Sequence, residues 1–143
     1  MAHMLETNGE GEASMAYAGQ TPWHNLGKKV PPDLTPAQMC KAAGVDWTVR
    51  KVQKFIELDG EKVFTPAHSL IRERNGRNIK KSSILTFLPS GKTWHEHQNE
   101  QAFEFFNEFV AAGDMEMETA GSLKEGRYVW ALARIKESFF VMK

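Results

Sequence analysis

The sequence has little of what disulfide frameworks, thiolate metal sites and membrane spans require. Among its 143 residues Cys40 is the only cysteine, which excludes an intramolecular disulfide and a thiolate-rich zinc site. No apolar run approaches the roughly 20 residues of a membrane-spanning helix, and the acidic opening lacks the basic-then-apolar order of a secretory signal. We therefore expect a cytoplasmic protein that makes no membrane contact, with Cys40 as a small buried residue.

The motifs of common enzymes are also missing. The chain contains no Walker-type glycine loop and no G-x-S-x-G element. His95 and His97 lie at i and i+2, where they could share a metal with His24 or His3, but two histidines without a neighbouring third ligand are a weak signal. The carboxylates are spaced along a predicted helix and are not paired in a cleft as a general acid and base would be. We therefore predict no enzyme activity, no catalytic residue, no metal site and no cofactor.

Lysine and arginine are absent from residues 93–123, which hold seven acidic side chains. The rest of the chain carries 18 basic residues against 11 acidic ones, so a net charge of zero conceals two regions of opposite sign. The densest basic cluster is residues 72–81, with five basic residues and one acidic residue. Segregated charge of this kind steers association with charged partners, although solvated charges also cluster without functional consequence.

Capping and turn residues predict the elements of an α+β fold. Thr35 as N-cap, Pro36 at the first helical position and Gly44 as a stop predict a short helix over about 35–43. Asp59-Gly60 and Asn75-Gly76 each separate two strand-like runs and predict hairpins. The alternating stretch "DMEMET" and the strand "YVWALARI" flank a further turn at Glu125-Gly126. We predict a mostly antiparallel sheet built from hairpins, in a single domain over 21–143 that follows an N-terminal arm over 1–20.

One long amphipathic helix is predicted over about 99–112. Asn99 favours its start and Gly113 its end. At 100° per residue one broad face collects the apolar side chains Ala102, Phe103, Phe105, Phe106, Phe109 and Val110. Glutamates repeat at i+4 on the opposite side, so we expect an acidic ridge facing solvent and four phenylalanines in the core.

Several separated stretches resemble the phage/plasmid-like protein family, a domain of unknown function found in bacteriophages and mobile elements. They are the opening "MAH", "AYAGQTPWHNLG", "QNEQAFEFF" and "ETAGSLKEGRYVWALARI". The resemblance spans nearly the whole chain and concerns the N-terminal part of typical members, which continue well past residue 143. It implies a short form or fragment, a native "MAH", a bacterial host cell, and a role in the element's DNA metabolism or its dealings with the host. The stretch "NIKKSSILTFLPSGKTWHEH" departs from the family pattern.

The first functional hypothesis is nucleic-acid binding of a single-strand binding or annealing type. Phosphate contacts need flexible cations and stacking needs an aromatic ring. The candidate residues are Arg72, Arg74, Arg77, Lys80, Lys81, Lys28, Lys29 and Trp94. Their basic faces would also allow a head-to-tail homo-oligomer with the acidic region of a second copy. Exposed cations that serve only solubility are the simpler alternative.

The second hypothesis is an anti-defence inhibitor that binds a host protein. Its acidic side chains would imitate the phosphates of a nucleic acid and occupy a basic groove of a defence or nucleic-acid enzyme. The candidate residues are Glu96, Glu100, Glu104, Glu108, Asp114, Glu116 and Glu118.

The stretch "PWH" carries the mark of the resemblance and has its own structural interpretation. Pro22 fixes one backbone angle, Trp23 offers a large apolar surface, and Gly27 permits a turn that other residues resist. We predict that Trp23 is buried as a clamp for the N-terminal arm and that His24 makes a structural hydrogen bond. An exposed Trp23 would instead make this stretch a candidate binding site.

Overall fold

The computed structural model describes residues 4–8, 10–74, 77–78 and 95–136. Within these ranges the chain forms strands and helices in an α+β order. They are β1 (Met15–Tyr17), β2 (Lys28–Lys29), α1 (Pro36–Ala42), β3 (Thr48–Leu58), β4 (Glu61–Arg74), β5 (Arg77–Asn78), α2 (Asn99–Glu104), α3 (Asn107–Ala111), β6 (Met115–Leu123) and β7 (Tyr128–Ile135). Among the helices in the described ranges, none has the length and apolar character that crossing a bilayer demands.

A four-stranded sheet with the order β2-β1-β6-β7 forms the centre of the fold. Strand β1 pairs in parallel with β2 and antiparallel with β6, and β6 pairs antiparallel with β7. The β6–β7 connection follows the turn predicted at Glu125-Gly126, where both residues have positive φ values of 57° and 84°. Residues 15–18 are buried, so this part of the segment predicted as an arm is a core strand.

A second sheet has the order β3-β4-β5. Its long β3–β4 hairpin turns at Asp59-Gly60 as predicted, with φ values of 52° and 80° at the two residues. Strand β5 pairs antiparallel with the end of β4, opposite Glu73 and Arg74. The predicted turn residues Asn75 and Gly76 lie outside the described residues.

Helix α1 confirms the predicted capping. The Thr35 hydroxyl accepts a hydrogen bond from the Gln38 N–H at 3.2 Å, and the Thr35 N–H donates to the Gln38 side chain at 2.9 Å. This reciprocal capping box satisfies backbone donors that the first helical turn leaves free. Gly44 ends the helix with a φ of 71°, a conformation in which a side chain would be strained. Cys40 is buried in the main core together with Met39 and Ala43.

The single long helix predicted over 99–112 is wrong, because two short helices, α2 and α3, replace it. Between them the Phe106 N–H bonds to the Phe103 carbonyl, three residues back, at 3.1 Å, which is a tighter turn than an α-helix makes. Consecutive aromatic residues have modest helix propensity because their side chains lose rotamer freedom against the preceding turn. Gly113 ends α3 with a φ of 83°, as predicted.

The predicted broad apolar face divides at the same place. Phe103 is 2% exposed, and Phe106 and Val110 pack against the same core. Phe105 is 68% exposed, and Phe109 also faces solvent. The core under α2 and α3 therefore takes only the narrow stripe at i, i+3 and i+7, and the expectation that all four phenylalanines are buried is wrong for two of them.

Candidate functional site

The four-stranded sheet has two faces with different surroundings. Its inner face carries the buried Ala16, Met117 and Ala120, against which helix α1 and Phe103 pack. Residues directly opposite each other on neighbouring strands share a face. The opposite face, here the outer sheet face, therefore carries the row Met15, Gly121 and Trp130 and the row Tyr17, Thr119 and Leu132. Among the described elements, no helix packs on this outer sheet face.

Trp130 of β7 is half-buried and lies against Gly121 of β6 on the outer sheet face. A Cβ built on Gly121 would lie 2.3 Å from the Trp130 Cη2 atom and 2.8 Å from the Ser14 carbonyl oxygen. Glycine is therefore required at position 121 for the indole to approach the strand this closely. Tyr128 and Leu132 flank Trp130 on the same strand and are exposed.

The segment 19–27 crosses the other half of the outer sheet face. Gly27 has a φ of 99° and immediately precedes β2 beside Met15 of β1, and a Cβ on it would lie 3.1 Å from the Met15 Cγ atom. The Asn25 N–H donates to the Pro22 carbonyl at 3.0 Å and closes a four-residue turn. Trp23 and His24 are the two central residues of that turn, in which the Trp23 side chain is exposed and His24 is half-buried.

Trp23 is 72% exposed, so the prediction that it is buried as a clamp for the N-terminal arm is wrong. The turn at Pro22–Asn25 explains the difference, because it holds the indole outward and leaves the close contact with β1 to Gly27. The predicted structural role of His24 is confirmed, since its Nδ1 accepts a hydrogen bond from the Leu26 N–H at 3.0 Å. The two rings meet edge to face with centroids 5.2 Å apart.

We expect Trp23→Ala to change the free energy of unfolding by less than about 0.5 kcal/mol, as is usual for exposed side chains. A buried tryptophan would cost about 3–5 kcal/mol. Urea denaturation followed by circular dichroism measures the difference directly. A loss in the buried range would contradict the outward position of the indole.

A surface groove of about 700 Å³ runs beside this turn on the outer sheet face. Its lining combines aromatic, apolar and charged side chains, among them Tyr17, Trp23, His24, Glu118, Leu132 and Arg134. A second groove of about 560 Å³ adjoins it, because both are lined by Ala18, Gly19, Glu118 and Arg134. The second groove adds Lys29 and the Pro31-Pro32 pair. The two adjoining grooves are here called the outer groove.

The charged side chains along the outer groove differ in whether they form ion pairs. Arg134 forms an ion pair with Glu116, and the Lys136 Nζ lies 3.9 Å from the same carboxylate. Glu118 sits at the register shift between Met117 and Thr119, and within the described residues its carboxylate is in no ion pair. Lys28 and Lys29 are exposed on β2 at the edge of the sheet.

The basic residues predicted at the hairpin are mostly engaged or lie outside the described residues. Arg72 is 2% exposed and forms an ion pair with Glu6, so its predicted role as a phosphate contact is wrong. Arg74 donates to the Gly44 carbonyl at 2.9 Å and lies 3.2 Å from Asp46. The backbone of Arg77 is in β5, whereas Lys80, Lys81 and Trp94 fall outside the described residues. Within the described residues Lys28, Lys29 and Arg74 keep the exposed position expected of them, and of these Arg74 is engaged by Asp46 and the Gly44 carbonyl.

The acidic candidates occupy separate surfaces and do not form one ridge. Glu100, Glu104 and Glu108 are exposed on α2 and α3, on either side of the break at Phe105 and Phe106. Glu96 is half-buried ahead of α2, and Asp114 is exposed just before β6. The remaining two, Glu116 and Glu118, line the outer groove. The physical reason is that a strand follows α3 and carries these two carboxylates to the other side of the sheet.

The titratable groups considered for chemistry give no reactive cluster in the described ranges. No three side chains among His, Cys, Asp and Glu come together there as metal ligands would. His95 and His97 are exposed, and His3 lies outside the described residues. Burial, reinforced by the nearby Asp46 and Glu100 carboxylates, raises the pKa of Cys40 to about 12, so its thiol stays protonated at neutral pH.

Sequence reasoning missed the aromatic surface of β7. Large side chains at Tyr128, Trp130 and Leu132 alternate with the small Val129, Ala131 and Ala133. This alternation was available as a signal, because small residues on one face suit close packing and large ones mark the other face. The alternation of large and small residues does not indicate which face of the sheet the helices cover.

Residues 89–143 match the family described as a Domain of unknown function (DUF932). The matched region contains β6 and β7 and thus Glu118, Leu132 and Arg134 of the outer groove, whereas the motif at 22–27 precedes it. The expectation of a domain of unknown function is thus supported over residues 89–143, and the match does not extend to the stretches quoted ahead of residue 89. Neither the curated proteins nor the solved structures contain a match to this chain.

Proposed function

We propose that this protein binds single-stranded nucleic acid in the outer groove, as a non-enzymatic accessory protein of a phage or mobile element. The observation that carries the proposal is the outward position of Trp23 above a sheet face that also presents Tyr128, Trp130 and Leu132. Aromatic side chains on a sheet face that no described helix covers are a general means of stacking unpaired bases.

Stacking and charge would act together at this surface. Base–aromatic stacking contributes about 1–3 kcal/mol per base and tolerates any base, because each has a π face. Lys28 and Lys29 are exposed on β2 at the edge of the sheet, and Arg134 of β7 lines the groove with its guanidinium in an ion pair with Glu116. The phosphates of a single-stranded nucleic acid whose bases stack on these aromatic rings would therefore lie near basic side chains that neutralise them.

The proposal is tested by fluorescence anisotropy of a labelled oligothymidylate at two salt concentrations. We expect Trp23→Ala to weaken binding about tenfold, which corresponds to the loss of one stacked base. Lys28→Glu with Lys29→Glu should flatten the dependence of log K on log salt by about 1.4, since each contact to a single strand contributes about 0.7. Phe105→Ala, an exposed aromatic on the helices, is the matched control and should leave binding unchanged.

Two results would reject the proposal. One is the absence of binding to any single strand at about 50 mM salt, where phosphate contacts are strongest. The other is equal weakening by Trp23→Ala and by Phe105→Ala, which would place the contact elsewhere.

A second candidate is capture of a host defence or nucleic-acid enzyme through its basic groove. The observation that favours it is the surface of α2 and α3, where Glu100, Glu104 and Glu108 are exposed around the aromatic pair Phe105 and Phe109. Acidic carboxylates beside apolar anchors suit a partner that is basic at its rim and apolar at its centre. Reversal of the three glutamates to lysine should abolish capture from host lysate, and unchanged capture would exclude this surface.

A further inference from the structure

We propose that the outer groove selects a guanine base, which stacks on Trp23 and is held at its Watson–Crick edge by Glu118. This inference rests on the proposed binding of single-stranded nucleic acid and specifies which base that site prefers. It follows from the position of one carboxylate in a groove that is otherwise suited to stacking and phosphate contact.

Glu118 differs from its neighbour Glu116 in being available. The Glu116 carboxylate is engaged by Arg134 and lies near Lys136, whereas Glu118 is in no ion pair within the described residues. Its backbone is fixed, because the Glu118 carbonyl accepts a hydrogen bond from the Ala18 N–H at 2.7 Å. Glu118 lies at a register shift of β6, an irregularity of the kind that redirects a side chain. It lines both parts of the outer groove.

The donor pattern of the bases decides which one a carboxylate can hold. An ionised carboxylate only accepts hydrogen bonds, through two oxygens side by side. Guanine presents two adjacent donors at its Watson–Crick edge, N1–H and the N2 amino group. Adenine, cytosine and thymine each place an acceptor beside their donor, so a carboxylate meets repulsion there. Guanine alone allows a bidentate contact with Glu118.

The rest of the groove completes a site for one nucleotide. The part of the outer groove beside Trp23 has a volume of about 700 Å³, within the range of small-ligand sites, about 300–1,000 Å³. Because His24 Nδ1 accepts the Leu26 N–H, the proton of the neutral imidazole is on Nε2, where it is a donor for an acceptor such as guanine O6. Lys29 and Arg134 line the adjoining part of the outer groove, Arg134 in its ion pair with Glu116, and are the cations that phosphates bound there would meet.

The experiment compares oligothymidylates that carry one central dG, dA or deoxyinosine, measured by anisotropy. We expect the dG oligonucleotide to bind about tenfold more tightly than the dA oligonucleotide, with deoxyinosine between them because it lacks the N2 amino group. Glu118→Gln should equalise the three, since an amide offers one acceptor and one donor. The control Glu108→Gln, exposed on α3, should keep the preference.

The outcomes separate the inference from the function on which it rests. Binding of all three oligonucleotides with equal affinity overturns the guanine site and leaves the proposed function standing. A dG preference that survives Glu118→Gln, with the variant's unfolding transition unchanged, also overturns the guanine site. Failure of every oligonucleotide to bind overturns the proposed function together with it.

Discussion

Arg72→Met is expected to lower the free energy of unfolding by about 3–5 kcal/mol, because it leaves a buried carboxylate without its cation. The Arg72 guanidinium lies 5.1 Å from the Trp47 ring and forms an ion pair with Glu6. The other Glu6 oxygen accepts a hydrogen bond from the Ser122 hydroxyl, so the charge is tied to the N-terminal segment and to β6. Gly126 leaves room for the group, since a Cβ there would lie 2.4 Å from the Arg72 Nη1 atom. Urea denaturation at neutral pH measures the loss.

The matched control is the exposed ion pair between Arg50 and Glu73. Its atoms are 2.6 Å apart, but the Arg50 side chain is 59% exposed, so Arg50→Met should cost at most about 1 kcal/mol. Replacing both members of the buried pair, Arg72→Met with Glu6→Met, should recover part of the stability, because an apolar pair needs no compensating charge while the buried Ser122 hydroxyl loses its Glu6 acceptor. Equal small losses for Arg72→Met and Arg50→Met would contradict the burial of the Arg72–Glu6 pair.

Phe103→Ala is expected to cost about 3–5 kcal/mol, because it empties a ring-sized space in the main core. Phe103 is almost fully buried between α1 and the inner sheet face. The space has little freedom to collapse, since β6 on one side is held by β1 and β7 and α1 on the other is capped at Thr35. Chemical denaturation followed by the far-ultraviolet signal reports the change.

Phe105→Ala is its control, two residues along the same sequence. Because the Phe105 ring is exposed and contacts Phe106 and Phe109 at the surface, its removal should change stability by no more than about 0.5 kcal/mol. Comparable losses for the two variants would indicate a single straight helix that buries both rings, in conflict with the break between α2 and α3.

Local chemistry made several elements predictable from the sequence. The helix α1 follows from Thr35, Pro36 and Gly44, and the β3–β4 hairpin from Asp59-Gly60, because caps and tight turns depend on a few consecutive residues. The mostly antiparallel arrangement follows from the same turn signals. For these elements the determining interactions span fewer than about five residues.

Long-range pairing was not predictable, and the candidate site depends on it. Arg72 forms an ion pair with a carboxylate 66 residues earlier in the chain. Its position in a basic cluster of the sequence therefore wrongly indicated that its side chain is exposed. Strand β1 is buried because β6, about 100 residues later, pairs with it. Trp23 lies in a turn closed by the hydrogen bond from the Asn25 N–H to the Pro22 carbonyl, and the composition of "PWH" does not reveal that its side chain is exposed.

The outer groove brings together residues that no motif connects. Trp23 and Lys29 come from the start of the chain and Glu118 and Arg134 from its end. Strand β1 lies beside β6 and thereby places the turn at 22–25 over the same sheet face as β7. The sheet topology therefore brings the residues of the site together, and the charge clusters visible in the sequence did not predict its location.

Ultraviolet cross-linking of an oligonucleotide to the intact protein, followed by peptide mapping, tests the location of binding most directly. We predict cross-links in peptides that contain Trp23 and in peptides from β7 around Tyr128 and Trp130. Cross-links confined to α2 and α3, or to the exposed end of the β3–β4 hairpin, would contradict the assignment of the outer groove as the nucleic-acid site.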